Sequence, residues 1–267
     1  LIKKKIRKAL GLDHCRLAGS GSAPLSAELL QWYRRLGLEL VEGYGMTENF
    51  NYSHMGRPGK CVPGTVGMPY DDVECRINDE DGEIQVKSPG IMIGYYKNEE
   101  KTAETMTEDG WLRTGDRGEI SKVGNLKITG RTKELFKTSK GKYVAPAPIE
   151  NKINDHPKIG LSLVGGANRP QPFALVQLAE DIVAKVKEDE SLKESVEKEL
   201  EQHVKDVNAT LDHHEHLEFF AVVIQDEWLP DNGLLTPTQK ICRGPIEEKY
   251  KEHEDGWYDS KKKVVWL

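Results

Sequence analysis

The sequence predicts an α/β protein in which three structural patterns follow one another along the chain. Residues 1–45 alternate helix and strand, which is typical of a parallel sheet with helices packed on it. Between residues 64 and 128, short runs of alternating polarity are separated by Asp/Gly-rich turns, so we expect antiparallel strands and a small barrel-like region. After Gly130, several apolar runs and an amphipathic pattern over residues 192–211 favour an α+β domain.

The length of the chain fits one large domain or two modest ones. The chain has 267 residues, of which 37% are hydrophobic. We expect a first domain at 1–130, with 63–128 as its β-rich subdomain, and a second domain at 131–267. The net charge of -6 argues against nucleic-acid binding, because a surface that neutralises phosphates needs clustered Lys and Arg. The four cysteines form no CxxC pair, which favours a reduced, cytoplasmic location.

The elements of the first domain are predicted from caps and turns. Ser26 is expected to cap a helix over 28–36, where apolar residues recur at spacings of three and four. Short strands are expected on either side of this helix, at 16–19 and 38–41. Further along, antiparallel strands are expected at 73–77, 82–86 and 125–128.

The second domain is predicted to contain two helices and three strands, followed by a charged end of the chain that is expected to be partly helical. The helices are expected at 146–154 and 192–211, and the strands at 159–165, 173–178 and 218–224. The apolar stripe of the longer helix is expected to face the core.

The motif GYGMTE occupies residues 43–48, just past a predicted parallel strand. Ligands of open α/β sheets bind beyond the carboxyl ends of such strands. Glycines allow close approach of the backbone, Tyr44 can stack on a purine, and Thr47 and Glu48 suit a phosphate and its magnesium. The alternative is a Gly-rich turn with Tyr44 in the core.

Two further motifs carry charged residues at expected strand ends. WLRTGD ends at Asp116, whose carboxylate can accept both hydroxyls of a ribose, and the alternative is a β-turn Asp bonded to its own backbone. TGRTKE contains Arg131, which can reach ribose or phosphate oxygens or form a surface salt bridge. Arg131 lies where the pattern of the sequence changes, as residues at a hinge do.

The motif LTPTQK ends at Lys240 in a Thr/Pro loop. A lysine in such a loop is most often solvated. Its functional interpretation is a mobile cation that neutralises charge during attack on a phosphate.

In this order, the motifs resemble those of the adenylate-forming superfamily of acyl-CoA synthetases, luciferases and peptide-synthetase adenylation domains. The resemblance runs from Gly19 to Arg243, and residues 131–150 and 235–240 look most like long-chain fatty acyl-CoA synthetases. It implies the end of a large parallel-sheet adenylate-forming domain followed by a small mobile C-terminal domain. It also implies an ATP-dependent long-chain-fatty-acid–CoA ligase that works through an acyl-adenylate.

The resemblance also implies roles for single residues. Lys240 would serve adenylation with Thr47 and Glu48, Glu48 would help to hold Mg²⁺, Lys133 would be the hinge, and Gly141 would lie along the path of CoA. The positions that match the family's ATP-binding residues are Gly21, Ser22, Ala23, Tyr44, Gly45, Met46, Thr47, Asp116 and Arg131.

The chain departs from the family pattern at three places. The hinge is Lys133 rather than Asp, and the loop at 139–142 has one glycine where relatives often have two. The family's Ser/Thr/Gly-rich phosphate loop is absent, and we expect it upstream of Leu1 in a longer protein. We therefore expect these residues alone to be inactive.

Alternative functions are an adenylating enzyme for another carboxylic acid and a non-catalytic nucleotide-binding module. The expected partners are fatty acid and CoA, with no nucleic acid, and no oligomeric state is favoured. The run at 261–267 pairs basic and apolar residues; a packed terminal strand is favoured over contact with a membrane surface. Peripheral membrane contact of the full-length enzyme stays an open alternative.

Overall fold

A computed structural model describes residues 2–267 of the chain. The chain divides into two compact units, Leu1–Lys133 and Glu134–Leu267.

The first unit combines three helices with two four-stranded sheets. Its elements are α1 (Ile2–Ala9), β1 (Ala18–Ser20), α2 (Ala27–Arg35), β2 (Leu40–Tyr44), β3 (His54–Met55), β4 (Met68–Pro69), β5 (Glu74–Ile77), β6 (Glu83–Lys87), α3 (Glu99–Thr105), β7 (Leu112–Ile120) and β8 (Leu126–Arg131).

The predicted alternation of helix and strand is confirmed, with a shift of the second strand. β1 and β2 pair in parallel, and Ser26 caps α2 by accepting a hydrogen bond from the Leu29 amide. Strand β2 begins at Leu40 rather than at residue 38, because Gly37 and Leu38 close the helix in a Schellman motif. The strand ends at Tyr44, so this residue belongs to the strand and does not follow it.

The antiparallel region is confirmed as β5–β8, in sheet order β5-β6-β7-β8. Its core consists of buried Ile84, Val86, Leu112 and Leu126. The expectation that Asp116 ends a strand is wrong, since β7 continues to Ile120. A left-handed Gly115 and a register shift after residue 117 bend this strand without ending it.

The second unit combines five helices with a four-stranded mixed sheet and a separate pair of strands. Its elements are β9 (Phe136–Lys137), β10 (Tyr143–Val144), α4 (Pro146–Ile153), β11 (Ile159–Gly165), β12 (Phe173–Leu178), α5 (Glu180–Glu188), α6 (Glu190–Asn208), β13 (Phe220–Val223), α7 (Arg243–Tyr250), α8 (Glu254–Ser260) and β14 (Val264–Trp266). The mixed sheet has the order β11-β12-β13-β14, and β9 pairs with β10.

Both faces of the four-stranded sheet are covered by apolar side chains. One face packs against the stripe of α6, in which Val196, Leu200 and Val204 are buried, so the predicted core role of the stripe is confirmed. The other face packs against Trp228 and Trp257. The terminal strand β14 pairs in parallel with β13, which confirms the interpretation of this segment as a packed strand.

Two elements of the second unit differ from expectation. Helix α6 begins at Glu190, where the Asp189 carboxylate accepts a hydrogen bond from the Leu192 amide, and it ends at Asn208 rather than at residue 211. Helix α5 was not predicted. Across residues 2–267, no helix is both long enough and apolar enough to cross a bilayer.

Candidate functional site

The loop after β2 owes its shape to Gly45. A Cβ atom at this position would lie 2.7 Å from the Cα of Asn51, so only glycine lets the chain fold back on itself here. The Met46 amide donates to the Asn49 side chain at 2.9 Å, which closes the one-turn 3₁₀ helix Thr47–Asn49. The glycine is thus required by the loop itself, before any ligand is considered.

Tyr44, Asp116 and Arg131 meet in one cluster on three strands. The Tyr44 hydroxyl donates to Asp116 Oδ2 at 2.7 Å, and Arg131 Nε donates to Asp116 Oδ1 at 3.0 Å. Asp116 and Arg131 are also cross-strand partners in the β7–β8 ladder. The Asp116 side chain is 14% exposed and that of Arg131 is 59% exposed, so the carboxylate is enclosed while the guanidinium faces solvent.

Burial and neighbouring charge set the protonation states of Tyr44 and of the adjacent His54. Burial and the Asp116 charge raise the pKa of the Tyr44 phenol, which therefore stays protonated and donates. The neighbouring ring of His54 is tilted against Tyr44 at 6.1 Å between centroids. Burial lowers the pKa of His54 to about 4, so at neutral pH this imidazole is uncharged.

Glu48 is held by contacts from a segment that follows β6. Tyr95 Oη donates to Glu48 Oε1 at 2.7 Å, and the Met92 amide donates to the Glu48 carbonyl at 2.7 Å. The bond to Glu48 raises the pKa of Tyr95. Sequence reasoning missed Tyr95, since 47 residues separate it from Glu48 and no local pattern joins them. Thr47, beside Glu48, is exposed.

The residues around Glu48 suit a magnesium ion only in part. Among residues 2–267, no group of three or more His, Cys, Asp or Glu side chains is arranged to hold a metal. One carboxylate with a neighbouring hydroxyl nevertheless fits the usual mode of Mg²⁺, which keeps waters and is bound jointly with substrate phosphates.

The turn at Gly21, Ser22 and Ala23 follows β1 and reaches the same sheet edge as the end of β2. A Cβ at Gly21 would lie 3.3 Å from the Gly43 carbonyl oxygen, and Ser22 has a positive φ of 68°. All three residues are exposed. Because β1 and β2 are parallel, the turn and the GYGMTE loop both leave at carboxyl ends of strands.

Lys240 and Gly141 both belong to the second unit. Two hydrogen bonds close the Lys240 loop. Thr236 N donates to the Lys240 carbonyl at 2.7 Å, and Lys240 N donates to the Thr236 side-chain oxygen Oγ1 at 3.1 Å. Leu234 and Leu235 bury the base of the loop, and Lys240 is exposed. Gly141 occupies the turn between β9 and β10 with a φ of 79°.

Lys133 is the last residue of the first unit and lies in the one-turn 3₁₀ helix Thr132–Glu134. Of the predicted site residues, Tyr44, Asp116 and Arg131 are connected by direct hydrogen bonds. Glu48 is held separately by Tyr95.

Comparison with known proteins identifies the class. The family model described as AMP-binding enzyme matches residues 2–96, and the one described as AMP-binding enzyme C-terminal domain matches residues 134–262. The chain belongs to this adenylate-forming, AMP-binding family. Several relatives are fatty-acid–CoA ligases by name.

Three similar proteins illustrate the match. The long-chain-fatty-acid–CoA ligase FadD15 of Mycobacterium bovis is 36% identical over 97% of this chain and 44% of its own length. Long-chain-fatty-acid–CoA ligase 6 of Mus musculus is 32% identical over 97% of this chain and 40% of its own. The A domain of a carboxylic acid reductase from Segniliparus rugosus, solved with AMP and a co-purified carboxylic acid, has a TM-score of 0.73 at 25% identity, covering 97% of this chain and 45% of that one. The chain thus spans less than half the length of each.

Proposed function

We propose that the chain supplies the AMP-binding and hinge elements of an ATP-dependent long-chain-fatty-acid–CoA ligase that works through an acyl-adenylate. The observation that carries the proposal is the cluster of Tyr44, Asp116 and Arg131, which joins three separate motifs that resemble those of the adenylate-forming family. The choice of a fatty acid is supported by relatives named long-chain-fatty-acid–CoA ligases.

In this proposal, Asp116 accepts hydrogen bonds from the ribose hydroxyls and Arg131 donates to ribose or phosphate oxygens. The Tyr44 ring stacks on adenine, and its bond to Asp116 keeps the ring in a fixed orientation. Gly21, Ser22 and Ala23 line the adenine side.

The GYGMTE loop contacts the phosphates. The Thr47 hydroxyl touches the α-phosphate, while Gly45 and Met46 bring the backbone to the nucleotide. Glu48, oriented by Tyr95, would hold Mg²⁺, which when bound neutralises phosphate charge.

Two half-reactions follow. A carboxylate oxygen of the fatty acid attacks the α-phosphorus of ATP, and pyrophosphate leaves with the electron pair of the broken P–O bond. The Lys240 ammonium offsets the charge that develops in this step. The thiolate of CoA then attacks the acyl carbonyl, a thioester forms, and AMP leaves.

We assign the parts of the chain as domain 1–130 with its β-rich subdomain 63–128, and a small mobile domain 131–267. Lys133 would be the hinge that withdraws Lys240 and brings Gly141 to the CoA path for the second half-reaction. All four cysteines are free, which supports a cytoplasmic location. Strand β14 pairs with β13 and only Val264 in it is fully buried, so we expect any peripheral membrane contact to come from another surface.

A second candidate is an adenylating enzyme for another acid, favoured by the similarity to a carboxylic acid reductase domain. A third is a non-catalytic nucleotide-binding module.

The test is a chimera in which this chain replaces the matching segment of the 36% identical mycobacterial ligase. We expect palmitate-dependent pyrophosphate release and palmitoyl-CoA formation from the chimera. The 267-residue chain alone should give neither, because its sequence contains no Gly-rich phosphate loop to grip the β- and γ-phosphates.

Each alternative has its own outcome in the same assay. AMP binding by the chain without any turnover by the chimera would favour the nucleotide-binding module. Turnover with aryl or short-chain acids but not palmitate would favour the other adenylating enzyme, and robust turnover by the chain alone would contradict its proposed dependence on a missing phosphate loop.

A further inference from the structure

A buried arginine follows the Lys240 loop. Arg243 begins α7, three residues after Lys240, and its side chain is 15% exposed. Its Nη2 lies 2.7 Å from Glu150 Oε1, and its Nη1 donates to the Val164 carbonyl at 2.9 Å. A charge so enclosed needs a partner held in good geometry, and this one has a carboxylate and a main-chain carbonyl.

Glu150 is equally enclosed and closes the arrangement. It lies in α4 with 7% of its surface exposed, and its Oε1 also accepts the Val164 amide at 2.7 Å. Burial raises the pKa of this carboxyl, and the Arg243 charge opposes that effect. Helix α4, strand β11 and the start of α7 are therefore joined at one point.

The Arg243 guanidinium keeps unused donor capacity. Its Nε is buried without a hydrogen-bond partner among the described residues 2–267. A second carboxylate is close, because Glu134 Oε2 lies 3.9 Å from Nη2, and Glu134 is the first residue of the second unit. A buried donor without a partner destabilises the fold. We therefore look for a role of Arg243 in holding the elements that it contacts.

The joined elements are those that follow the proposed functional loops. Helix α4 follows β10, the short strand after the turn that contains Gly141, and α7 comes directly after the loop that contains Lys240. That loop is closed at its base by Cys242 N donating to the Leu234 carbonyl at 2.8 Å. Arg243 directly follows Cys242, and its side chain reaches Glu150 in helix α4.

We propose that Arg243 is a positioning residue whose buried pair with Glu150 holds the Lys240 loop in a fixed relation to the helix that follows the Gly141 turn. The catalytic consequence rests on the proposed role of Lys240 in adenylation. Both loops would then move with the second unit as one body.

The positioning itself is tested on the 267-residue chain, without turnover, by hydrogen exchange of residues 234–242. Arg243→Lys and Glu150→Gln should each speed exchange in this loop by about 10- to 150-fold, the range for losing a hydrogen bond to a charged group. The matched control is Arg169→Lys, since Arg169 also pairs with two carboxylates of the second unit, Glu254 and Asp255. It should leave the loop unchanged.

Two results would overturn the proposal. One is unchanged exchange in the loop of both variants. The other is an equal rise across β11–β14 and the loop, which would make the pair a general stabiliser only. If Arg243→Lys does not fold, Glu150→Gln decides alone, because it keeps the shape of the side chain.

The catalytic consequence is read in the chimera. Arg243→Lys should slow acyl-adenylate formation by about 10²-fold, the effect of a small misplacement of a catalytic group, and leave acyl transfer from supplied acyl-AMP within a few-fold of the parent. Equal losses in both steps would contradict positioning of Lys240. A parent chimera that forms no acyl-adenylate would count against the proposed function, while the exchange experiment would still decide the positioning.

Discussion

Replacing Asp116 with alanine is the most direct perturbation of the proposed nucleotide site. The carboxylate joins Tyr44 and Arg131, and it is the acceptor proposed for the ribose hydroxyls. Its removal takes away that acceptor and also frees the Tyr44 ring, so we expect AMP to bind less tightly.

The magnitude follows from the geometry of the cluster. A hydrogen bond to a charged group contributes about 1.5–3 kcal/mol, so the dissociation constant for AMP should rise about 10- to 150-fold. The loss of the ion pair with Arg131 should lower the free energy of unfolding only slightly. The Arg131 side chain is 59% exposed, and exposed ion pairs contribute about 0–1 kcal/mol. Affinity should thus fall far more than stability.

The assay is calorimetric titration of the 267-residue chain with AMP. The matched control is Asp109→Ala, because Asp109 is likewise bonded to an arginine, with Arg76 at 2.7 and 3.1 Å, and this pair holds the pKa of Asp109 at about 2. We expect the control to bind AMP like the parent chain. Equal affinity of Asp116→Ala and the control would remove Asp116 from the proposed site.

Three further outcomes are expected. Lys240→Ala in the chimera should slow acyl-adenylate formation by about 10²–10³-fold while thioester formation from supplied acyl-AMP survives; parallel losses would refute its assignment. Tyr95→Phe should raise the Mg²⁺ concentration needed for half-maximal adenylation about tenfold, because loss of a residue that orients a metal ligand weakens metal binding by about that factor. An unchanged Mg²⁺ requirement would show that Glu48 does not bind the metal. His54 has a pKa of about 4 in the fold against about 6.5 when unfolded, so the unfolded chain takes up the proton first as pH falls. The free energy of unfolding of the first unit should therefore decrease by about 3 kcal/mol as the pH falls from 6.5 to 4. Urea titrations at pH 6.5 and at pH 4 measure this change. A His54→Gln variant that kept the full pH dependence would contradict the assignment to His54.

Local signals in the sequence determined the class of fold and several of its elements. Ser26 capped α2 as expected, because a serine side chain needs only the amides of the next turn. The apolar stripe of α6 placed that helix on the core, since its period requires nothing beyond the helix itself. The order of the GYGMTE, WLRTGD and TGRTKE motifs predicted the family to which the chain belongs. Those features are encoded within a few residues of one another.

The tertiary structure alone decided which side chains meet. Tyr44 and Asp116 are 72 residues apart, and Glu150 and Arg243 are 93 apart. No local pattern predicted that Tyr95 would bond Glu48, nor that β7 would continue beyond Asp116. These features depend on strand register and on the packing of helices and strands. Both are determined by the burial of many residues that are distant in the sequence. The sequence by itself therefore determined the motifs and their order, whereas packing decided how they are joined.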